Sequence, residues 1–231
     1  MKKVLTIALG CVCAAALLTG CGGSKARKQA AAEAEKARAD SVAAALQAEK
    51  EAKAMITLSN LPAEPVFDIV TSLGTIRVKL YSKTPKHREN FAKLALSGYY
   101  DGLLFHRVIP GFMIQGGDPF TKDPAMADRY GQGGPDYTVP AEFVPEYKHK
   151  KGALAAARRG DAANPMKASS GSQFYIVQDE SGCRHLDGQY TVYGQAISGL
   201  DVIDKIAAVP TDYKGLPESP VKIIEVKYVA E

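Results

Sequence analysis

Cysteine is scarce in this chain and poorly placed for cross-linking. Of the four cysteines, Cys11, Cys13 and Cys21 precede residue 22, and Cys183 stands alone in the remainder. Removal of the leading apolar run leaves Cys21 and Cys183, so an internal disulfide is excluded from the folded part even in an oxidising compartment. Charge of one sign is equally short. The formal net charge is +4, yet residues 61–231 carry twenty basic and twenty acidic side chains, so the surplus lies wholly in residues 1–60. A nucleic-acid partner needs a basic footprint on the folded part, and none is present. The four histidines, His87, His106, His149 and His185, lack metal-ligand spacing, so no metal is expected. Cys183 and His185 lie two residues apart beside an Asp187-Gly188 turn, with no third group to orient them. They read as a surface thiol beside a packed histidine rather than as a nucleophile with its base.

What the chain does have begins at its start. Met1-Lys2-Lys3 precedes an apolar run from Val4 to Gly20, the charge and hydropathy order of an export signal, although the run is also nearly long enough to span a bilayer. The segment Leu18-Thr19-Gly20-Cys21 resembles a bacterial lipobox, which implies a signal peptide over residues 1–20 and lipidation of Cys21. Several acyl chains on one residue anchor a protein stably where a single chain does not. The expected location is therefore a bacterial cell envelope, with the chain lipid-anchored to a membrane on its periplasmic side or at the cell surface.

Residues 25–56 contain no Gly or Pro and are dominated by Ala, Lys, Arg, Glu and Gln, all good helix formers. Val42 and Leu46 form their one i, i+4 apolar pair before Met55 and Ile56, too little for a sustained coiled-coil seam. A solvated helical spacer is the reading, within a lipidated linker of residues 21–60, and weak self-association is the alternative. Pro62 and Pro65 end that helix and open a domain over residues 61–231.

Within the domain, Val66–Thr71 and Thr75–Tyr81 flank Ser72-Leu73-Gly74 and read as a hairpin, with Ile76, Val78 and Leu80 inward and Arg77 and Lys79 outward. A helix follows, with Thr84 able to cap it, Pro85 at its first position, Phe91, Leu94 and Ala95 as its stripe and Gly98 at its end. Pro119 to Pro140 is dense in Gly, Pro and Asp and reads as loop; residues 160–171 read as a second loop, and Lys148 to Lys151 as a solvated turn. Gly152 to Ala157 suits strand or helix on composition. In Gln173 to Gln178, alternation puts Gln173 and Tyr175 on one face and Phe174 and Ile176 on the other. Tyr190 to Gln195 is a further strand; Leu200, Ile203 and Ala207 stripe a second helix ended by Pro210; and Val221 to Val229 closes the chain with Ile224, Val226 and Tyr228 inward. Many short strands with two separated helices point to a mainly β fold, an antiparallel β-barrel with helical caps.

The stretch Phe105 to Asp118, FHRVIPGFMIQGGD, sets an arginine in a β-favouring apolar run broken by Pro110-Gly111. Alternation turns Arg107 away from His106 and Val108 and puts Met113 and Gln115 on one face. The residues alone fit either a buried strand with a snorkelling arginine or a cleft for an uncharged, partly apolar ligand. With SGSQFYIV (Ser170 to Val177) and HLDGQYTVYG (His185 to Gly194), the stretch makes three ordered blocks that resemble the signatures of the cyclophilins, peptidyl-prolyl cis-trans isomerases.

That resemblance implies a closed eight-stranded barrel capped by two α-helices, with Gly152 to Ala157 as a strand bordering the cleft. It also implies a cofactor-free isomerase acting on proline-containing unfolded or folding polypeptides, as a monomeric domain. Arg107 falls on the family's catalytic arginine, and Gln115 on the glutamine that orients it. Phe112, Met113, Tyr175 and Leu186 fall on the pocket for the proline ring, Gln173 on a polar member of the cleft, and Ala157 and Arg158 on the segment whose backbone bonds the peptide. The chain departs from the pattern at four places: Arg158 stands for asparagine, Tyr175 for phenylalanine, His185 for a tryptophan that strengthens cyclosporin binding, and Tyr190 for a histidine at the rim. The loops at 119–136 and 160–171 are longer than in compact members. A non-catalytic module that holds proline segments at a membrane is the alternative.

Overall fold

The computed structural model describes residues 31–44 and 58–230, and the chain divides into two units, Met1–Ala52 and Lys53–Glu231. In the first unit, residues 31–44 form helix α1, exposed along its whole length, as its lack of an apolar face requires. The expected signal peptide over residues 1–20 and the expected lipidation site Cys21 lie outside the described residues. Among the described residues no helix is long and apolar enough to cross a membrane.

The second unit is built on an eight-stranded antiparallel sheet. Its strands are β1 (Val66–Thr71), β2 (Gly74–Leu80), β3 (Arg107–Ile109), β4 (Met113–Gly116), β6 (Ala153–Ala156), β8 (Phe174–Val177), β9 (Val192–Ser198) and β10 (Ile223–Val229). Their spatial order is β10-β1-β2-β9-β6-β8-β4-β3, and β5 (Thr138–Val139) and β7 (Ser169–Ser170) form a separate pair. The main ladder is not continuous between β3 and β10. Instead Leu104 bridges Lys222 just before those strands, and Phe105 N–H donates to Val221 C=O at 2.9 Å, so the curled sheet brings its two edges together without a full strand pairing. Bulges between Val70 and Thr71, Arg77 and Val78, and Leu154 and Ala155 supply the local twist that curls it.

The first hairpin forms where its alternation requires, with Thr71 opposite Gly74 across a two-residue turn and Ile76, Val78 and Leu80 buried. Gly152 to Ala157 supplies strand β6. Strand β8 is buried on both faces: Phe174 and Ile176 join the main core, while Tyr175 and Val177 join a second cluster with Met113, Ala155, Cys183 and Leu186. The main core is aromatic, with Phe91 and Tyr100 meeting Phe174 edge-on at 5.8 and 5.5 Å. Helix α2 (Pro85–Leu96) contributes Phe91, Leu94 and Ala95 to that core, and helix α3 (Leu200–Ala207) contributes Val202, Ile203, Ile206 and Ala207.

Several expectations are corrected. Thr84 does not cap α2; its hydroxyl donates to Tyr81 C=O, and the carboxylate of Glu142 accepts the N–H groups of Lys86 (3.1 Å) and His87 (3.0 Å) instead. Leu200 is exposed, because α3 begins there and its buried face runs through Val202, Ile203, Ile206 and Ala207. Ile224 also points outward. The bulge opposite Val70 and Thr71 skips it, so Ile223 and Val226 are the buried pair. The Pro119 to Pro140 loop holds two 3-10 turns, Pro119–Lys122 and Pro124–Arg129, each capped by the preceding aspartate, Asp118 or Asp123. Between Lys148 and Lys151, His149 is buried rather than solvated. Cys183 and His185 exchange the expected places: the thiol is fully buried and the histidine is exposed.

Candidate active site

The register of the sheet gathers the site. Arg107 on β3 pairs with Gln115 on β4, Gln115 with Tyr175 on β8, and Tyr175 with Ala155 on β6, a transverse row across four strands. Cross-strand partners put their side chains on one face, so residues far apart in sequence converge. Over this row opens a cavity of about 270 Å³ lined by Arg107, Phe112, Met113, Gln115, Ala157, Arg158, Tyr175, His185, Leu186 and Tyr190. Phe112 reaches it because Pro110-Gly111 turns the chain, with Gly111 at φ +76° and Phe112 N–H donating to Ile109 C=O at 3.1 Å. Met113 and Tyr175 are nearly fully buried and form the floor with Leu186.

Arg107 is half-buried at the cavity wall. Its Nη1 lies 3.5 Å from Gln115 Oε1 and 3.8 Å from Met113 Sδ, and its guanidinium carbon stands 5.9 Å from the Phe112 ring centre. Among the described residues no carboxylate pairs with it. Burial pulls its pKa below the ordinary guanidinium value, and an arginine so shifted remains a cation at neutral pH. On the opposite face His106 is buried with neither ring nitrogen bonded among the described residues, and desolvation lowers its pKa, which favours the neutral ring.

Gln173 does not line the cavity; it stands behind it. Gln115 Nε2 donates to Gln173 Oε1 at 3.0 Å, and Gln173 Nε2 donates to the carbonyls of Gly131 and Gly133 at 3.0 and 2.7 Å. Those carbonyls are themselves fixed, because the fully buried carboxylate of Asp118 accepts the N–H groups of Gly131, Gly133 and Phe120. A Cβ at position 133 would lie 2.0 Å from Asp118 Oδ1, so only glycine admits this contact. The chain of bonds from Asp118 through Gln173 to Gln115 defines which end of the Gln115 amide faces Arg107. Asp118 is the residue that sequence reasoning passed over; its one signal is the Asp118-Pro119 dipeptide, a turn-capping pair.

The four departures from the family pattern have definite surroundings. Arg158 is committed to the wall: Nε donates to Gln189 C=O at 2.9 Å, Nη1 to Arg159 C=O at 2.9 Å and to Asp161 Oδ1 at 2.6 Å, and its guanidinium stacks 4.3 Å from the Tyr190 ring centre. Ala157 spends its N–H on Gln173 C=O and its C=O on Ser170 N–H, whereas the backbone N–H and C=O of Arg158 have no partner among the described residues. His185 lies nearly parallel to Phe112 at 6.3 Å. The Tyr175 hydroxyl leads away from the cavity to His149 Nε2 at 2.8 Å. Behind Arg158, Lys167 contacts both Gln189 and Asp161. No group of three or more His, Cys, Asp or Glu suited to a metal occurs among the described residues.

Residues 66–228 match the family model described as cyclophilin type peptidyl-prolyl cis-trans isomerase. A peptidyl-prolyl cis-trans isomerase-like 1 of Neurospora crassa is 38% identical over 165 residues, covering 71% of this chain and 93% of the relative. A peptidyl-prolyl cis-trans isomerase of Acinetobacter baylyi is 38% identical, covering 71% and 86%. A peptidyl-prolyl cis-trans isomerase-like 2 of Rhizopus delemar is 40% identical over 164 residues, but this chain spans only 28% of its length. A crystal structure of a Cryptosporidium parvum cyclophilin type isomerase superposes with TM-score 0.63 at 30% identity, covering 73% of this chain and 99% of that one; a second structure of it was determined in the presence of the dipeptide Ala-Pro.

Proposed function

Because the chain belongs to the cyclophilin-type peptidyl-prolyl cis-trans isomerases, we propose that the cavity over the Arg107–Gln115–Tyr175 row is where a substrate proline turns. Rotation about an X-Pro bond must break amide resonance, a barrier of about 18–20 kcal/mol that takes roughly tens to hundreds of seconds to cross unaided. No covalent step is needed. A catalyst has only to hold the twisted amide better than either planar isomer, and each ~1.36 kcal/mol of that preference is about tenfold in rate.

In the twisted state the prolyl nitrogen becomes pyramidal and regains a lone pair. Arg107 donates to it; Gln115, oriented by Gln173, sets the donor's direction and bonds the adjoining carbonyl. Phe112, Met113, Tyr175 and Leu186 hold the apolar ring. The free backbone N–H and C=O of Arg158 take the peptide chain, with Ala157 as the strand end that presents them, and His185 and Tyr190 flank the entrance. The observation that carries this reading is a half-buried guanidinium that no carboxylate among the described residues pairs with, set against an apolar floor. A donor so preorganised favours charge that appears only in the transition state.

The substrates are proline-containing polypeptides that are unfolded or still folding. Lipid on Cys21 would hold the enzyme at a membrane of a bacterial envelope, with residues 21–60 as spacer. Protease-free measurement of cis-trans exchange in a short proline peptide tests the chemistry. Arg107→Ala should lower kcat/KM about a hundredfold, the scale of one lost transition-state donor, while peptide affinity changes little. Exchange that is no faster than the uncatalysed rate in the unaltered chain, with affinity intact, would make it a binding module instead.

A further inference from the structure

Three segments meet behind the cavity floor in a way the isomerase reading does not use. Asp187 Oδ1 accepts both the backbone N–H of His149 at 2.9 Å and its ring Nδ1 at 2.8 Å, and His149 Nε2 lies 2.8 Å from the Tyr175 hydroxyl. An ionised carboxylate can only accept, so Nδ1 carries the proton, Nε2 offers a lone pair, and Tyr175 is the donor. The tautomer thus follows from the network. The His149 side chain is wholly buried, and its ring lies at 10° to that of Tyr175 with centres 5.9 Å apart. Neither His149 nor Asp187 lines the cavity, but both neighbours in the chain of contacts do: Tyr175 directly, and Leu186 next to Asp187.

We propose that Asp187 and His149 are positioning residues for the isomerisation, which act by holding the Tyr175 phenol and the segment from Leu186 to Tyr190 at a fixed separation, so that two walls of the proline cavity move as one. The proposal rests on the cavity being the proline site. A phenylalanine at position 175 would pack equally well in the floor but would leave the two walls independent, and it would orphan the buried Nε2.

The arrangement also has a pH signature. The groups facing His149 are Asp187, which favours its cation, Lys148 and His185, which oppose it, and the neutral phenol of Tyr175. Lys148 Nζ also lies 3.8 Å from Asp187 Oδ2. Burial outweighs the carboxylate and pulls the imidazole pKa below its ordinary value, so the ring is neutral at pH 7. Protonation places a hydrogen on Nε2, reverses the bond and leaves the phenolic hydrogen without its acceptor. Loss of the relay therefore belongs to the acid side, below about pH 6.5.

The test is a double-mutant cycle on the full chain, with kcat, KM and peptide affinity for a short proline peptide measured from pH 5 to 8. His149→Gln should raise KM about fivefold to tenfold, the scale of one hydrogen bond, with kcat within about twofold. In the Tyr175→Phe background the same substitution should add little, because nothing remains for the ring to hold. The unaltered chain should show KM rising on the acid side, and Tyr175→Phe should abolish that limb. Asp187→Asn, which frees the tautomer, should shift KM in the same direction and serves if His149→Gln does not fold. Additive effects of positions 149 and 175, or an acid limb that persists in Tyr175→Phe, would overturn the relay. Coupling seen in affinity without turnover in any form would retain the relay and count against the isomerase reading.

Discussion

Two guanidinium groups line the cavity, and their neighbours, not their chemistry, distinguish them. Arg158 is tied to two carbonyls, a carboxylate and an aromatic face, and its side chain is 4% exposed. Among the described residues Arg107 has a long contact to Gln115, a sulfur and the face of the Phe112 ring, and no carboxylate. A substrate amide meets the second as a free donor and the first as a wall. Arg158→Ala should therefore loosen the rim, raising KM by roughly fivefold to tenfold as hydrogen-bonded packing is lost, while kcat changes far less than in Arg107→Ala; steady-state kinetics on one peptide checks both. Cys183 supplies a further contrast. Its thiol is buried, donates to Phe112 C=O at 3.4 Å, and is pushed up to about 12 by desolvation, with Asp179 and Asp187 adding to the effect. Only thiolate reacts, so alkylation at Cys183 in the native protein should be at least about a hundredfold slower than after denaturation, as peptide mapping after iodoacetamide treatment would measure.

At the scale of the element, helix α2 depends on a residue far away in the chain. Glu142 accepts the N–H groups of Lys86 and His87 and lies 2.7 Å from the His87 ring, whose other nitrogen lies 2.9 Å from the Ser169 hydroxyl. Burial pushes the Glu142 carboxyl upward, but the bonds from His87 and Lys86 outweigh it and hold the pKa below the ordinary value of 4.5. A depressed carboxylate stabilises the fold above its unfolded pKa, and that contribution is lost as pH falls below about 4.5 through the lower folded value. Glu142→Ala should cost about 1–2 kcal/mol at pH 7, the range for lost helix caps, and the difference from the unaltered chain should shrink below pH 4; urea unfolding at several pH values measures it. This cap was not legible in the sequence, because Thr84 offered a local alternative and Glu142 sits in a loop. The same limit explains Ile224. Alternation is a local rule, and the bulge that breaks its phase is set by the register of β1 against β10. By contrast the face of β2 was legible, since Ile76, Val78 and Leu80 alternate with Arg77 and Lys79, and in β8 the same rule separated Tyr175 from Phe174 and Ile176 although both faces are buried.

For the whole molecule, what sequence conveyed best was Arg107, Gln115 and Tyr175 of the transverse row, because two of the ordered blocks carry them; Ala155, the fourth member, lies outside those blocks. What it could not convey was the support behind that row: Asp118 fixing two glycine carbonyls, and His149 and Asp187 joining two walls, each pair separated by stretches with no shared local pattern. Charge balance bears on the remaining step, the tether. The domain is neutral overall while residues 1–60 hold the whole basic surplus, and helix α1 exposes every described residue, so nothing in residues 31–44 offers an apolar face to bind lipid. Lipid attraction from that surplus alone falls off within a Debye length of about 8 Å at physiological salt. If Cys21 carries the anchor, Cys21→Ser should move the chain from the membrane to the soluble fraction, and the released chain should keep its kcat/KM on a short peptide, since the cavity is built wholly within the second unit. Retention at the membrane in Cys21→Ser that survives 0.5 M salt, a concentration of roughly 4 Å screening length, would instead assign the attachment to the uncleaved apolar run Val4 to Gly20.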